Sequence, residues 1–345
     1  MGNRPALFQM KLVIQIPAWN EEEALPETLA SVPRTLPGFS EVAILVVDDG
    51  STDGTAEAAR AGFADRVVSF SKHRGLAAAF SAGVDEALAM GADVIVNFDA
   101  DLQYDAADIP ALVAPILAGR ADLVVGDRQP GKLAHFSPVK RLLQRLGSWM
   151  VRQASGLQVQ DATSGLRAFT REAARRMNVF SKMTYTLETL IQAGFKDLRV
   201  VSVPVAARPV RRASRLFSSP TKYVLIQGAN VLRITALYKP LKIFSAAAAF
   251  FFFLGAALGL RVFLAHWNGD TSNHAVSLSA AAVLVTVGVL TFLIALLADI
   301  VAINRELLEE LKLRESRNRA AEARLRKVEH RRESDELEIQ GRLKS

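Results

Sequence analysis

Two long uncharged runs near the carboxyl end limit what this chain can fold into more than any other feature. Residues 243–260 run for 18 positions without a charge and are rich in Ala, Phe and Leu; residues 275–298 run for 24. A helix needs about 20 apolar residues to cross a bilayer. Leu241 and residues 262–265 extend the first run to that length. Only residues 266–274, with Asn268, Gly269 and Asp270, separate the two, so a tight membrane hairpin is expected. A pair of buried helices in a soluble protein is the alternative. Lys239 and Lys242 precede the first run and Arg305 follows the second. The excess of basic residues at that end places both flanks in the cytoplasm. Arg261 at the far end can snorkel to the interface, and Asp299 suits an interfacial carboxylate near a helix end. No apolar run sits at the N-terminus, so no signal peptide is expected.

The 345 residues include no Cys, which excludes disulfides, zinc–thiolate sites, iron–sulfur clusters and Cys nucleophiles. The five His show no metal-ligand spacing. A net charge of +7 suits either nucleic acid or a membrane surface. No zinc-finger or RNP-type motif supports nucleic acid, so none is expected as a partner.

Residues 1 to 215 have the pattern of an α/β domain. Short β-branched runs at 11–16, 42–47, 93–98 and 122–125 alternate with helical patterns such as 22–31 and 76–90. That alternation predicts a mainly parallel sheet with helices on both faces. Ligands of such sheets bind beyond the carboxyl ends of the strands. The first strand ends in Pro17-Ala18-Trp19-Asn20-Glu21, with neither GxGxxG nor a P-loop. The second ends in Asp48-Asp49-Gly50-Ser51, then Thr52-Asp53-Gly54-Thr55. Asp53 or Thr55 suits a helix cap, whereas two adjacent carboxylates suit a base or ribose. The third ends in Asp99-Ala100-Asp101-Leu102-Gln103. Oxygen ligands so placed suit a hard divalent cation, which one or two carboxylates plus substrate phosphates typically hold.

These segments, with Arg74-Gly75-Leu76 between them, resemble family 2 glycosyltransferases of the GT-A fold. Asp161-Ala162-Thr163-Ser164-Gly165-Leu166-Arg167 and Gly126-Asp127-Arg128 narrow the resemblance to the polyprenyl-phosphate branch, the dolichyl-phosphate mannose or glucose synthase-like enzymes. It covers about residues 10 to 240, and the hairpin is similar to that of two-span members. Trp19 stands where Tyr is commoner, Leu166 replaces an aromatic, and Arg212-Ala213-Ser214-Arg215 replaces Gly-Glu-Ser-Lys. The Gln-x-x-Arg-Trp motif of processive polysaccharide synthases is absent.

The resemblance implies a metal-dependent hexosyltransferase that inverts configuration. One sugar passes from a nucleotide-diphosphate sugar, a UDP-sugar of glucose or N-acetylglucosamine or else GDP-mannose, to undecaprenyl or dolichyl phosphate. It implies that Pro17, Trp19, Glu21, Asp48, Asp49, Arg74, Gly75, Asp99 and Ala100 bind the nucleotide sugar. Asp99, Asp101 and Gln103 would hold Mg²⁺ or Mn²⁺, and Asp101, Asp161, Arg128 and Arg167 would be catalytic. Arg128, Ser164, Arg167 and Arg215 would meet the lipid phosphate, with Asp161 orienting an arginine or acting as a base. A phosphate monoester is largely anionic at pH 7, so orientation and charge stabilisation are the main demands on the protein.

The resulting layout is a cytoplasmic catalytic domain (1–215), an amphipathic juxtamembrane segment (216–240), the hairpin (241–303) and a charged helical tail (304–345), all on the inner membrane with both termini cytoplasmic. Two basic segments can dock the domain on the bilayer. In 139–152, Leu142, Leu143, Leu146, Trp149 and Met150 share a helix face flanked by Lys140, Arg141, Arg145 and Arg152. The alternative is an ordinary helix with that stripe on the domain core. The second segment, 208–242, carries Arg211, Arg212, Arg215, Lys222, Arg233, Lys239 and Lys242. In the tail, Leu307, Leu311, Ala321, Leu325 and Val328 follow one heptad seam, interrupted by Arg314 and Asn318. That suits a weak oligomerising coiled coil or a solvated helix. A non-catalytic membrane scaffold is the reading of another class, against which the Asp99/Asp101 pair and Arg167 speak. A nucleotidyltransferase would want a Gly-rich basic loop after the first strand, which is absent.

Overall fold

The computed structural model describes residues 10–129, 138–179, 185–208, 220–269 and 273–343. Two compact units divide the chain near residue 235. The first is built on a seven-stranded sheet: β1 Lys11–Ala18, β2 Glu41–Asp48, β3 Arg66–Ser69, β4 Val94–Asn97, β5 Leu123–Asp127, β6 Arg167–Thr170 and β7 Val200–Pro204. Their spatial order is β3-β2-β1-β4-β6-β5-β7. All pairings are parallel except those of β6, which runs antiparallel to both β4 and β5. The four expected strands are present with ends shifted by one or two residues. The mainly parallel sheet is as expected, while β3, β6 and β7 are additional.

Parallel strands covered on both faces are apolar along their length. In β1, Leu12, Ile14 and Ile16 pack with Leu25 and Leu29 of α1 (Leu25–Ser31) and with Ile109, Leu112 and Ile116 of the helix Ile109–Leu117. The opposite face meets Leu76–Ala89, where Gly83 leaves room for the Gln15 side chain. Pro17 lies past the last β1–β4 pair, Gln15 with Asn97, so its missing N–H breaks no ladder on that side.

The antiparallel turn of β6 shapes the functional edge. Asn97 at the carboxyl end of β4 sits opposite Arg167 at the amino end of β6. Loop 161–166 therefore arrives at the same edge as the carboxyl ends of β1, β2, β4 and β5.

The basic helix expected over 139–152 runs from Pro138 to Ser155. Gly147, Ser148 and Val151 are buried, and Gly194 of the helix Thr186–Phe195 has no room for a Cβ beside Ser155. Trp149 is instead half exposed. The side chains of Leu142, Leu143 and Leu146 lie outside the described residues.

The second unit holds two long helices, numbered α9 (Pro240–Trp267) and α10 (Ala275–Leu343) in chain order. At about 1.5 Å per residue, the 28 residues of α9 extend about 42 Å, more than a hydrocarbon core. Gly255 meets the Ala281 carbonyl, and Gly288 meets the Phe252 amide and Ala248 carbonyl, each close to 3 Å from where a Cβ would stand. Phe250, Phe253, Phe263, Leu290 and Leu293 face outward. The most apolar stretches of the two helices are only 11% and 17% buried, so these are candidate membrane spans rather than core helices.

Candidate active site

The loops after β1 and β2 are stitched to each other. Asn20, in a left-handed conformation at φ 53° that Asn tolerates, donates its N–H to Ser51 Oγ and accepts from Thr52 N. Glu21 N–H donates to Thr55 Oγ1 at 2.8 Å, and Gly54 N–H to Glu22 Oε2 at 2.7 Å. Asp53 accepts from Thr55 N–H and hydroxyl just outside the helix Thr55–Ala61, whose N-cap is Gly54, so neither Asp53 nor Thr55 is the cap expected.

The two carboxylates after β2 have separate tasks. Asp48 accepts from Ser51 N–H at 3.0 Å through Oδ1. Asp49, 2% exposed, accepts from Arg74 N–H at 2.8 Å and Gly75 N–H at 2.9 Å, with His73 Nδ1 3.0 Å from Oδ2. It therefore organises loop 72–75, which crosses so close to Gly50 (φ 66°) that a Cβ would collide with the Lys72 backbone. That loop lays the His73 ring on Trp19, centroids 4.0 Å apart. His73 escaped the sequence reading; its position one residue before Arg74-Gly75 was the available signal. The Arg74 guanidinium sits over Phe70.

The carboxylates after β4 are starved by comparison. Burial, and then the charge of Asp101, push the Asp99 carboxyl up to about 7, against the pull of Arg128 and Arg167. Burial also raises Asp101, whose Oδ1 accepts from Gln103 N–H. Leu102 between them is held at φ 61°, a strained conformation for a side chain of that size. Gly165 is required opposite, because a Cβ there would strike Asp99 Oδ2. Two half-buried carboxylates that resist ionising form a donor set suited to a divalent cation. Gln103 Oε1 instead faces Arg128 Nη1 at 3.5 Å. Among the described residues no cluster of three acidic or His side chains forms a complete cage, consistent with substrate phosphates supplying the remaining ligands.

Arg128 and Asp161 form a buried bidentate pair, with Nε to Oδ2 at 2.7 Å and Nη2 to Oδ1 at 2.9 Å. Burial opposes ionisation of Asp161, yet Arg128 overrides it and holds the carboxyl below its usual range. Thr163 Oγ1 accepts from Arg128 Nη2 and donates to Asp161. Of the two roles open to Asp161, this geometry favours orienting an arginine. Arg167 is fully buried and donates to the carbonyls of Ser164 and Ala162 and to Thr189 Oγ1. Burial lowers its pKa to about 10. Ser164 is also fully buried, against the Tyr104 hydroxyl at 3.1 Å. Both residues thus sit inside the loop rather than on its ligand-facing side. Arg215 lies outside the described residues.

Three polar side chains that sequence reasoning passed over complete the support. Asn97 accepts from Gln15 Nε2 and donates to the Gly165 carbonyl and Tyr185 hydroxyl. Tyr104 accepts from Gly165 N–H at 3.0 Å. Tyr185 stacks on Phe80 at 3.8 Å. A polar Asn in an otherwise apolar strand was the signal for the first. A shallow cleft of about 460 Å³ bounded by Arg34, Leu36 and Glu41 lies at the amino end of β2, away from these carboxylates.

Residues 13–177 match the sequence profile of glycosyl transferase family 2, and residues 239–303 match that of the GtrB C-terminal hairpin. The chain is 38% identical over 217 residues to a polyprenol monophosphomannose synthase of Mycolicibacterium smegmatis, spanning 59% of this chain and 80% of the relative. It is 31% identical over 206 residues to an undecaprenyl-phosphate mannosyltransferase of Micrococcus luteus, spanning 57% and 83%. The fold resembles that of Mycobacterium tuberculosis glucosyl-3-phosphoglycerate synthase solved with Mn²⁺, UDP and glucosyl-3-phosphoglycerate. That similarity has a TM-score of 0.52 at 22% identity, over 68% of this chain and 85% of the other. Strand-end carboxylates, family profile and relatives agree: the chain belongs to glycosyl transferase family 2 and is a glycosyltransferase with a C-terminal hairpin.

Proposed function

We propose that this protein transfers one sugar from a nucleotide-diphosphate sugar to a polyprenyl phosphate at the cytoplasmic membrane face, with inversion. The observation that carries the proposal is the Asp99/Asp101 pair, crowded together and pushed toward the protonated form at the sheet edge of a chain that also holds two candidate spans. An acceptor that stays in the bilayer requires an anchored enzyme, and relatives named for undecaprenyl and polyprenol phosphate support this acceptor class.

Pro17, Trp19, Glu21 and Asp48 border the nucleotide, while Asp49 holds Arg74 and Gly75 in place beside it. Asp99 and Asp101 would hold Mg²⁺ or Mn²⁺, joined by Gln103 only if its Oε1 leaves Arg128 Nη1, and Ala100 would border the nucleotide sugar. When bound, the metal supplies charge neutralisation for the departing diphosphate. A lipid-phosphate oxygen forms the new bond to the anomeric carbon as the bond to the nucleotide oxygen breaks; the nucleoside diphosphate leaves with the electron pair. Arg128 orients the acceptor phosphate, since guanidinium binds it as a planar fork, and Asp161 orients Arg128. Arg167 and Ser164 act on the reaction by fixing loop 161–166.

The donor is a UDP-sugar of glucose or N-acetylglucosamine. The mannosyl relatives favour GDP-mannose as the second reading. Purified protein with undecaprenyl phosphate, Mg²⁺ or Mn²⁺, and each donor in its own tube tests both by mass spectrometry of the lipid. Lipid heavier by one sugar in a single tube identifies the donor. Tight, metal-dependent nucleotide binding without product in any tube points to another acceptor or donor. Neither binding nor product from folded protein leaves the scaffold reading.

A further inference from the structure

Helix α10 has two opposite sides of different character. Ala281, Gly288 and Ala295, seven residues apart, are buried where the hairpin packs. Taken as heptad position f, they place a and d on the far side. Leu290, Leu293, Leu297, Ile300, Leu307 and Leu311 occupy a and d there, each between 50% and 64% exposed, with Asn304 at the a position between Ile300 and Leu307. Within a span, lipid covers such a face. Leu307 and Leu311 follow the basic flank at Arg305, where lipid no longer accounts for them.

The phase continues into the tail. Asn318 and Leu325 fall at a, and Ala321 and Val328 at d, after Arg314 at the preceding d and one like-charge match of Glu310 at g with Glu315 at e. Arg317, Arg324 and Arg331 fall at g; Glu322, Glu329 and Glu336, each five residues later, fall at e. In a parallel two-stranded coil, g of one helix meets the e five positions on in its partner. Three consecutive Arg–Glu matches result, and two-fold symmetry doubles them. Antiparallel pairing would set Arg against Arg and Glu against Glu. Asn at an a position, as at 304 and 318, fixes register in two-stranded coils.

We propose that the tail binds a second copy of this chain as a parallel two-stranded coiled coil, strongest over residues 307–328. Arg332 at a and Asp335 at d end its apolar seam. The seam is short and polar for a free coil. Anchoring both copies in one membrane, in one orientation, raises their effective concentration and imposes the parallel arrangement.

The absence of Cys makes the test clean. Asn318→Cys, Leu325→Cys and, at the outward c position, Ala320→Cys are made singly in the full chain and mildly oxidised in membranes. Positions a and a′ of a parallel pair bring Cβ atoms within disulfide reach, so the first two should cross-link at least about fivefold more than the third. Equal cross-linking at all three, or none at 318 and 325, overturns the proposal. Combining R317E, R324E and R331E in the Asn318→Cys chain should abolish its disulfide. Co-expression with a second Asn318→Cys chain carrying E322R, E329R and E336R should restore it as a heterodimer only. A disulfide indifferent to these charges also overturns the coil.

Discussion

Two pairs of carboxylates follow β2 and β4, the strands on either side of β1, and they are treated in opposite ways. Asp49 is buried but saturated: two backbone N–H groups and the His73 ring surround it. Asp99 and Asp101 are crowded together, and burial pushes both toward the protonated form against the pull of Arg128. A satisfied carboxylate builds a loop, whereas a starved pair has affinity left for a cation. Chain chemistry alone does not separate them, since each is an acidic doublet after a β-branched strand.

The sharpest way to break the contrast is to neutralise one crowded carboxylate and one that is fully paired. Asp101→Asn should lower kcat by about 10²–10³, the usual loss when a group that stabilises developing charge is removed. Circular dichroism and the unfolding midpoint should stay close to those of the unaltered protein. An Asp101→Asn enzyme with full turnover would make this pair another structural doublet. Asp161→Asn gives the converse signature. It strands the buried Arg128, and removing one partner of such a pair costs about 3–5 kcal/mol. A lowered midpoint of denaturant unfolding should accompany the lost activity, and an unshifted midpoint would disprove the structural half of the role.

The sequence revealed the first of these behaviours better than the second. Strands of Val, Ile and Leu announce themselves, so β1, β2, β4 and β5 and the loops after them were legible. β6 was not, because its four residues, Arg-Ala-Phe-Thr, open on a charge. The same Arg167 was assigned to the lipid phosphate. Arg167 is fully buried and ties two loop carbonyls to Thr189 of the helix Thr186–Phe195, and a motif carries no record of such partners. The helix Pro138–Ser155 teaches a related point: Gly147, Ser148 and Val151 are buried, while Trp149 is half exposed. Tyr104, Asn97 and Tyr185 were invisible because their loop contacts span 20 or more residues.

Acidity sharpens the contrast further. With Asp99 raised to about 7, its proton competes with any cation at the site. Metal-dependent nucleotide binding should therefore tighten about tenfold per pH unit below 7 and level off above it. The folded form of the metal-free protein holds this proton more tightly than the unfolded chain does. That contribution to stability is fully present below the model-peptide value near 3.8 and is lost as pH rises to about 7. Asp99→Asn should flatten both profiles. Calorimetric nucleotide titrations at several pH values check the first, and unfolding midpoints over the same range check the second. A binding curve already flat below pH 6 would remove Asp99 from the cation site.

The smallest effect belongs to the satisfied side. Asp49 reaches the nucleotide only through loop 72–75, by laying His73 against Trp19. Aromatic stacking of this kind contributes about 0.5–1.5 kcal/mol. If Trp19 carries the base, His73→Ala should raise KM for the donor about threefold to tenfold and leave kcat unchanged. His73→Phe keeps the stack but drops the bond to Asp49, so it should recover most of the loss. Recovery would show that the ring face matters. A Phe variant as weak as Ala would show that the Asp49 contact holds the loop. A fall in kcat at unchanged KM would place His73 near the reacting sugar and undo the division of labour between the two strand ends.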